Sequence, residues 1–213
     1  MSLLTQTGVN RVQLRNNSHR YGLLAIFLHW SMTILIIALF FLGEYMVDLD
    51  YYDSWYQAAP DLHRSFGVIA AILLILRLLW RLGNVQPAII GKPWEQQAAR
   101  WVHRLFYALI IAIVISGYFI TTADGQGISV FNWFEIPASF QGFENQEDIA
   151  GEFHEWLTHI LILLVGLHTL AALKHHFFNH DTTLSHMLGL SNPEQMEQEI
   201  NQTTTYNHHN PKG

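Results

Sequence analysis

Residues 154–176, HEWLTHILILLVGLHTLAALKHH, decide the fold of this 213-residue chain. From Trp156 to Leu173 the stretch contains no Asp, Glu, Lys or Arg. An apolar run of about this length crosses the roughly 30 Å hydrocarbon core of a bilayer as a helix. His154 and His168 stand near its two ends. The stretch therefore predicts a transmembrane helix with ionisable histidine rings, among them His154 and His168.

The whole chain has the composition of a membrane protein. Half of its residues (50%) are hydrophobic and 13% are charged, whereas about a quarter of the residues in a soluble domain are charged. We therefore expect an all-α fold, an integral membrane bundle of four transmembrane helices. The predicted spans are about 22–46, 63–82, 100–122 and 153–178.

The first span follows basic residues, as a secretory signal peptide does. Its uncharged centre, Leu23–Gly43, is longer than the roughly 7–15 apolar residues of such a signal. We therefore expect it to be retained as a membrane span.

Charge predicts the orientation of these spans. Of the 11 Lys and Arg residues, all except Arg64 fall before the first span, around the connection between the second and third spans, or after the fourth. Lys and Arg in short connections stay on the cytoplasmic side. We expect a bacterial inner (cytoplasmic) membrane protein with both termini in the cytoplasm.

Three regions follow from this topology. Residues 1–21 form a cytoplasmic N-terminal segment, residues 22–190 form the four-helix domain, and residues 191–213 form a polar tail with too little apolar content to fold. The outer loop at 123–152 is rich in aromatic residues, which is typical of a cap at the membrane interface.

The histidines are the candidate functional residues of this chain. The chain has no Cys, which excludes disulfides, iron–sulfur clusters and haem attached through Cys. Ionisable residues inside a span are costly and therefore indicate function by default, although a single one can be a neutral imidazole bonded to another helix. Five of the histidines that occupy or border the spans have suggestive positions: His29, His63, His103, His154 and His168.

The spacing of His154 and His168 requires two cofactors. Fourteen residues at about 100° each place both rings on one helix face, and a rise of about 1.5 Å per residue separates them by roughly 21 Å. One metal ion cannot bind both. By depth, His63 lies level with His154 at the outer side and His29 level with His168 at the cytoplasmic side, with His103 as the competing inner ligand.

Haem fits these pairs better than a bare metal ion. Protein-bound zinc or iron usually gathers three or four ligands, including carboxylates or thiolates, whereas this sequence offers imidazoles in twos. Gly67 and Gly166, near His63 and His168, would let a flat ring approach the backbone, although ordinary helix packing also favours small residues. A His-lined carrier of bare metal ions remains the alternative from the transporter class.

Haem propionates need cationic or hydrogen-bonding partners at both surfaces. Arg64 adjoins His63 and is the candidate at the outer site. At the inner site Arg77 is the candidate, with Arg81 and Lys174 also available. Each of these cations could instead only anchor a helix end.

The pattern resembles the prokaryotic cytochrome b561 family, which is related to the dihaem cytochrome b subunits of nickel-iron hydrogenases and formate dehydrogenases. The resemblance covers about residues 20–190. It rests on Leu28-His29-Trp30, His63-Arg64-Ser65-Phe66-Gly67, Leu76–Leu82, Val102–Tyr107, His154-Glu155, Gly166-Leu167-His168 and Ala171–His176.

The resemblance implies two non-covalent b-type haems, with one iron ligand from the first span (His29), one from the second (His63) and two from the fourth (His154, His168). It also implies electron exchange with ubiquinone or another membrane quinone. We consider His103, Lys92 and His175 as quinone-site candidates, with Arg77 behind them. The other expected partners are membrane lipid and a redox partner at the outer face, and none is a nucleic acid.

These expectations define the predicted function and its rivals. The first hypothesis is electron transfer across the membrane between an outer redox partner and the quinone pool. The family resemblance adds a superoxide:quinone oxidoreductase, although the acidic outer loops would repel an anion such as superoxide. The third hypothesis is a cytochrome b anchor subunit of a hydrogenase- or dehydrogenase-type complex.

Overall fold

The computed structural model describes residues 13–18, 20–89, 91–140, 142 and 144–190. Its long helices are α1 (Leu23–Val47), α2 (Ala58–Leu82), α3 (Pro93–Thr121) and α4 (Gln146–Phe177). All four have the length and hydropathy to cross a membrane, which confirms the predicted bundle. The predicted tail 191–213, and residues 1–12 of the predicted N-terminal segment, lie outside the described residues.

Three helices begin before the predicted spans. α2 begins five residues earlier than expected, and α3 and α4 each begin seven residues earlier. The extra turns contain charged side chains such as Glu95 and Glu147, so a search for apolar runs misses them. Acidic residues in a first turn nevertheless stabilise a helix, because they face the positive end of its dipole.

An apolar layer fills the middle of the bundle. Its buried side chains come from all four helices and are Met32, Leu74, Leu109, Ile110 and Leu161. Leu161 lies halfway between His154 and His168 on α4, about 10 Å along the axis from each. The apolar layer therefore separates the two levels at which histidines were predicted.

The outside of the bundle is also apolar. Phe27 and Ile34 of α1 are 64% and 66% exposed, and Leu163 and Leu170 of α4 are each 64% exposed. A water-facing surface of this kind would cost about 25 cal/mol per Å² of apolar area. Lipid removes that cost, as expected for a membrane protein.

We call the end of the bundle where α1 and α3 begin the basic end. The side-chain amide of Asn16 donates to the carbonyl of Val85 at 3.0 Å, which joins the segment before α1 to the α2–α3 connection. A short fifth helix, α5 (Thr183–Leu188), follows α4. The Trp30 indole N–H donates to the carbonyl of Met187 at 2.7 Å, so α5 lies against α1 at this same end.

The opposite end, where α2 and α4 begin, we call the acidic end. A hairpin lies there, in which β1 (Ile128–Val130) pairs antiparallel with β2 (Phe134–Ile136). In its turn Phe131 and Asn132 have φ angles of 49° and 59°. This left-handed conformation is uncommon for a large side chain, and no Gly marks the turn in the sequence.

The hairpin is fastened to the first turns of α2. The backbone N–H of Phe131 donates to Oγ of Ser65 at 3.1 Å, and the Phe131 ring meets Phe66 edge to face at 5.2 Å. Val130 is 1% exposed. The aromatic loop predicted to be an interfacial cap thus contains a structured element beside His63.

Candidate functional site

The acidic end brings two predicted histidines together from different helices. His63 lies in the second turn of α2 and His154 lies in the third turn of α4. Their ring centroids are 6.2 Å apart, with an interplanar angle of 69°. Two imidazoles that share one metal ion need such a gap, because each nitrogen stands about 2.0–2.1 Å from the metal. We call these two residues the acidic-end pair.

Two glycines that the sequence did not single out make room for this pair. A Cβ atom at Gly43 of α1 would lie 3.3 Å from Cε1 of His63, and one at Gly117 of α3 would lie 3.3 Å from Cε1 of His154. Both rings therefore pack closely against helix backbone. At Gly67 and Gly166, the glycines chosen from the sequence, a Cβ would meet nothing within 4 Å, so open space lies beside them.

The two rings of the pair differ in hydrogen bonding. Nδ1 of His154 lies 3.1 Å from the carbonyl oxygen of Ile113 and 3.1 Å from Oγ of Ser116. Nδ1 of His63 is buried without a hydrogen bond of normal geometry among the described residues, and only a weaker interaction reaches it from the backbone of Leu39. One ring is anchored, and its partner is held by packing.

The basic end gathers the other three histidines. The ring centroids of His103 and His168 are 5.6 Å apart, and Phe106 meets His168 edge to face at 5.4 Å. His29 is close enough to His168 and His103 to interact with both electrostatically. We call His29, His103 and His168 the basic-end group. The structure thus brings both predicted inner ligands of α1 and α4 to one place, together with their competitor on α3.

Arg77 holds His29 in a defined protonation state. Its Nη2 lies 3.0 Å from Nδ1 of His29. A guanidinium group can only donate, so Nδ1 accepts and the proton of a neutral imidazole is on Nε2. For His29 to bind iron through Nε2, Arg77 has to release Nδ1.

A cluster of cations and phenols borders the basic-end group. The guanidinium carbons of Arg77 and Arg81 each lie 5.8 Å from the ring centre of Tyr107. Tyr21, which precedes α1, is also near them. Burial raises the pKa of the Tyr21 hydroxyl, while the positive charges of Arg81 and Arg77 act in the opposite direction. Tyr21 and Tyr107 were missed from the sequence, because only tertiary packing brings them to the arginines.

The remaining candidates have local partners. Arg64 forms an ion pair with Asp61, one turn earlier on α2. Lys92 directly precedes α3, where its backbone N–H donates to Glu95 at 2.9 Å. His175 binds the carboxylate of Asp181 at 2.7 Å.

No hydrogen bond, ion pair or ring contact joins Lys92 or His175 to the basic-end group in the described part of the chain. Across residues 13–190, apart from the four single positions that are not described, no group of three or more His, Cys, Asp or Glu side chains is placed to hold a metal ion. The candidate cofactor ligands are instead the imidazoles of the acidic-end pair and the basic-end group.

Comparison with known proteins bears on both sites. The sequence model of the family described as "Prokaryotic cytochrome b561" matches residues 20–190. The chain is 43% identical over 181 residues to "Cytochrome b561 homolog 2" of Escherichia coli, which covers 84% of this chain and 96% of that protein.

Two more distant relatives match over similar lengths. A Yersinia pestis protein described as "Probable superoxide oxidase CybB" is 29% identical over 176 residues, covering 79% of this chain and 96% of that protein. "Cytochrome b561 homolog 1" of Escherichia coli is 25% identical over 173 residues, covering 80% and 97%. The residues that the family model matches, 20–190, include all four long helices.

Proposed function

The chain belongs to the prokaryotic cytochrome b561 family and is therefore a membrane electron-transfer protein with b-type haem, and from this premise we propose that it carries electrons across the bacterial inner membrane. The electrons pass between a redox partner at the outer face and the quinone pool. The acidic end faces outward, and the basic end, with both termini, faces the cytoplasm, because Lys and Arg favour the cytoplasmic side.

One observation carries this proposal. Imidazoles gather at two levels, the acidic-end pair and the basic-end group, and the apolar layer lies between them. A protein with one cofactor does not need two such levels. We therefore assign two haems to each chain, one at each end.

The residues of the acidic end fit a haem. His63 and His154 face each other across 6.2 Å, and Gly67 leaves open space one turn after His63. The anchored Nδ1 of His154 leaves Nε2 with its lone pair, the form of the ring that binds a metal. We assign both residues as the ligands that would hold the outer haem iron.

At the basic end we assign His29 and His168 as the ligands. Release of His29 Nδ1 by Arg77 sets the ring free to bind through Nε2 and also frees a guanidinium group for a carboxylate. Arg77 and Arg81 form no ion pair with a carboxylate among the described residues. Two unpaired guanidinium groups beside the site suit the two propionates of a haem.

The outer propionates have fewer cations available. Arg64 is the basic residue at the acidic end, and Asp61 already pairs with it. That pair is exposed, so its net stabilisation is small, and Arg64 can exchange Asp61 for a propionate at little cost. We therefore retain Arg64 as the outer candidate.

The haem groups supply one-electron redox chemistry, and the chain supplies their environment. The histidines bind and orient the iron, the apolar layer excludes water between the two ends, and the guanidinium groups offset negative charge at the surface. Axial ligands and burial are the means by which a protein sets the potential of such a centre.

We place the quinone site at the basic end, beside His103. A quinone carbonyl needs hydrogen-bond donors at the membrane boundary, and His103 lies there with Tyr21, Tyr107 and Arg81 close to the same group. Lys92 and His175 were considered for this role from the sequence. The existing bond of His175 to Asp181 makes it a weaker candidate than His103.

Haem quantification with a redox titration tests the proposal. Purified protein should contain two pyridine-extractable haem b groups per chain and should titrate in two steps. A single haem per chain, in protein produced with ample haem, would contradict the two-site assignment. A difference spectrum without b-type bands would contradict haem binding itself.

A superoxide:quinone oxidoreductase is the second candidate. It is supported by the relative described as a superoxide oxidase, whereas the acidic outer surface disfavours approach of an anion. Superoxide added to the oxidised protein should reduce its haem rapidly if this activity is present. Absence of haem reduction under superoxide flux, with superoxide dismutase as the control, would remove this candidate.

A further inference from the structure

α3 carries neither member of the acidic-end pair, yet it contacts His154 at three points. The carbonyl oxygen of Ile113 and Oγ of Ser116 each lie 3.1 Å from Nδ1 of His154. The backbone at Gly117 approaches Cε1 so closely that an added Cβ would lie 3.3 Å away. Three contacts within five consecutive residues of α3 therefore hold the His154 ring at Nδ1 and Cε1.

The polarity of these contacts fixes the protonation of the ring. A carbonyl oxygen can only accept, so an approach of 3.1 Å requires the proton to be on Nδ1 of His154. The Ser116 hydroxyl donates to the same carbonyl at 2.9 Å, and its lone pairs are therefore left to face the Nδ1 proton. Ser116 is 7% exposed, which keeps water from replacing it.

The opposite ring lacks this support. Among the residues that the structure describes, Nδ1 of His63 is buried without a hydrogen bond of normal geometry. A histidine that donates its second N–H to an acceptor becomes a more basic ligand and keeps a fixed orientation. The acidic-end pair thus combines one anchored, electron-rich imidazole with one that is held by packing and a weaker interaction with the backbone of Leu39.

We propose that Ser116 is a positioning residue, which holds His154 in the Nδ1–H form with Nε2 toward His63 and lowers the reduction potential of the outer haem. The proposal rests on the assignment of His154 as an iron ligand. In this proposal α3 contributes to the outer haem site although it supplies no iron ligand there.

Ser116→Ala tests the proposal in the full-length, haem-loaded protein. We expect two haems to remain, one midpoint potential to move to a more positive value, and the low-spin ferric EPR signal of that haem to change. Ser116→Thr keeps a hydroxyl group and should restore both properties. Two unchanged midpoints and unchanged EPR signals in Ser116→Ala would overturn the proposal.

Thr121→Val is the matched control. Thr121 lies on the same helix, and its hydroxyl donates to the carbonyl of Gly117 at 2.9 Å. In the described part of the chain no hydrogen bond joins this hydroxyl to an imidazole. This variant should leave both midpoints unchanged, and a shift equal to that of Ser116→Ala would overturn a specific role for Ser116.

A second variant guards against failure of Ser116→Ala to fold. Gly117→Ala places a methyl group against the His154 ring and should disturb the same haem signal. His154→Ala separates this proposal from the one on which it rests. If His154→Ala keeps both haems, the assignment of His154 as an iron ligand is wrong. If His154→Ala loses a haem but the haem signals of Ser116→Ala and Gly117→Ala are unchanged, only the role of Ser116 is refuted.

Discussion

The guanidinium group of Arg77 donates a hydrogen bond to Nδ1 of His29, with the two nitrogens 3.0 Å apart. This contact joins α2 to α1 at the basic end. It also places a positive charge beside the ring that we assign to the inner haem. The first prediction follows from that charge.

Arg77→Gln should weaken binding of one haem. The change removes a guanidinium group that we assign to a haem propionate. A hydrogen bond to a charged group is worth about 1.5–3 kcal/mol, so we expect a roughly ten- to hundredfold faster loss of the inner haem to an acceptor such as apomyoglobin. Arg100→Gln is the control, since Arg100 is exposed and bonds only to Gln97 in the described structure. Equal haem loss from both variants would contradict the role given to Arg77.

His154→Ala and His168→Ala should each remove a different haem. The two rings lie 14 residues, or about four turns, apart on α4, with the apolar layer between them. Haem content should fall by half in each variant, and the redox step that disappears should differ. His159→Ala, an exposed histidine on the same helix, should retain both haems. Loss of both haems from either single variant, in folded protein, would mean that the sites are not separate.

His29 and His103 should respond differently to substitution. His29→Ala should lose the basic-end haem, because it removes a ligand. His103→Gln should keep two haems and slow electron exchange with a water-soluble quinone analogue, because it removes a donor from the quinone site. Stopped-flow oxidation of the reduced protein measures this rate. Should His103→Gln lose a haem instead, His103 rather than His29 is the partner of His168.

Acid should release α5 from the bundle. Burial alone would raise the pKa of Asp181, but hydrogen bonds from Thr183 and His175 outweigh burial and hold this pKa below its usual value of 3.8. The ionised carboxylate therefore stabilises the fold above pH 3.8, and this contribution is lost as the pH falls through the lowered pKa.

After correction for the intrinsic pH dependence, hydrogen exchange in residues 178–190 should be slowest near pH 7. Burial lowers the pKa of His186 in α5 below its usual value of 6.5, so exchange should become faster as the pH falls below about 6.5, and faster again below pH 3.8 as Asp181 is protonated. Asp181→Asn should show fast exchange there at pH 7. Equal protection in this variant and the parent protein would show that the Asp181–His175 contact does not hold α5.

Ser65→Ala should loosen the hairpin at the acidic end. The change leaves the backbone N–H of Phe131 without its acceptor, and an unsatisfied buried donor costs about 1–3 kcal/mol. Proteolysis between residues 124 and 145 should become faster while the haem content stays at two. Ser129→Ala is the control, because that hydroxyl is exposed and bonds within the hairpin.

The four helices and the pairing at the acidic end could be predicted from the sequence for the same reason. Membrane spans are defined by apolar length, and the depth of a residue then follows from its position along its helix. His63 and His154 were matched in this way, and the structure brings their rings together. At the basic end three histidines share one depth, so position alone could not choose between His29 and His103.

Features that depend on backbone groups could not be predicted. The carbonyl of Ile113 has no signature in the sequence, although it faces Nδ1 of His154 together with the Ser116 hydroxyl. The hairpin was missed because Phe131 and Asn132 turn the chain without glycine, against the usual preference. Tyr21 was missed because it precedes α1 and reaches the arginines only after folding.

The apolar layer has a consequence for energetics in the living cell. Its five buried side chains are all uncharged, and none of them can take up or release a proton. An electron that passes between the two proposed haems would therefore meet no compensating charge on these five side chains. The electron crosses about 21 of roughly 30 Å of hydrocarbon. Moving one charge across the whole membrane potential involves about 2.3 kcal/mol per 100 mV, so this passage involves about 1.6 kcal/mol. At 100 mV that is roughly a 15-fold change in the equilibrium between the ends, so an energised membrane would hold electrons preferentially at one end of the protein.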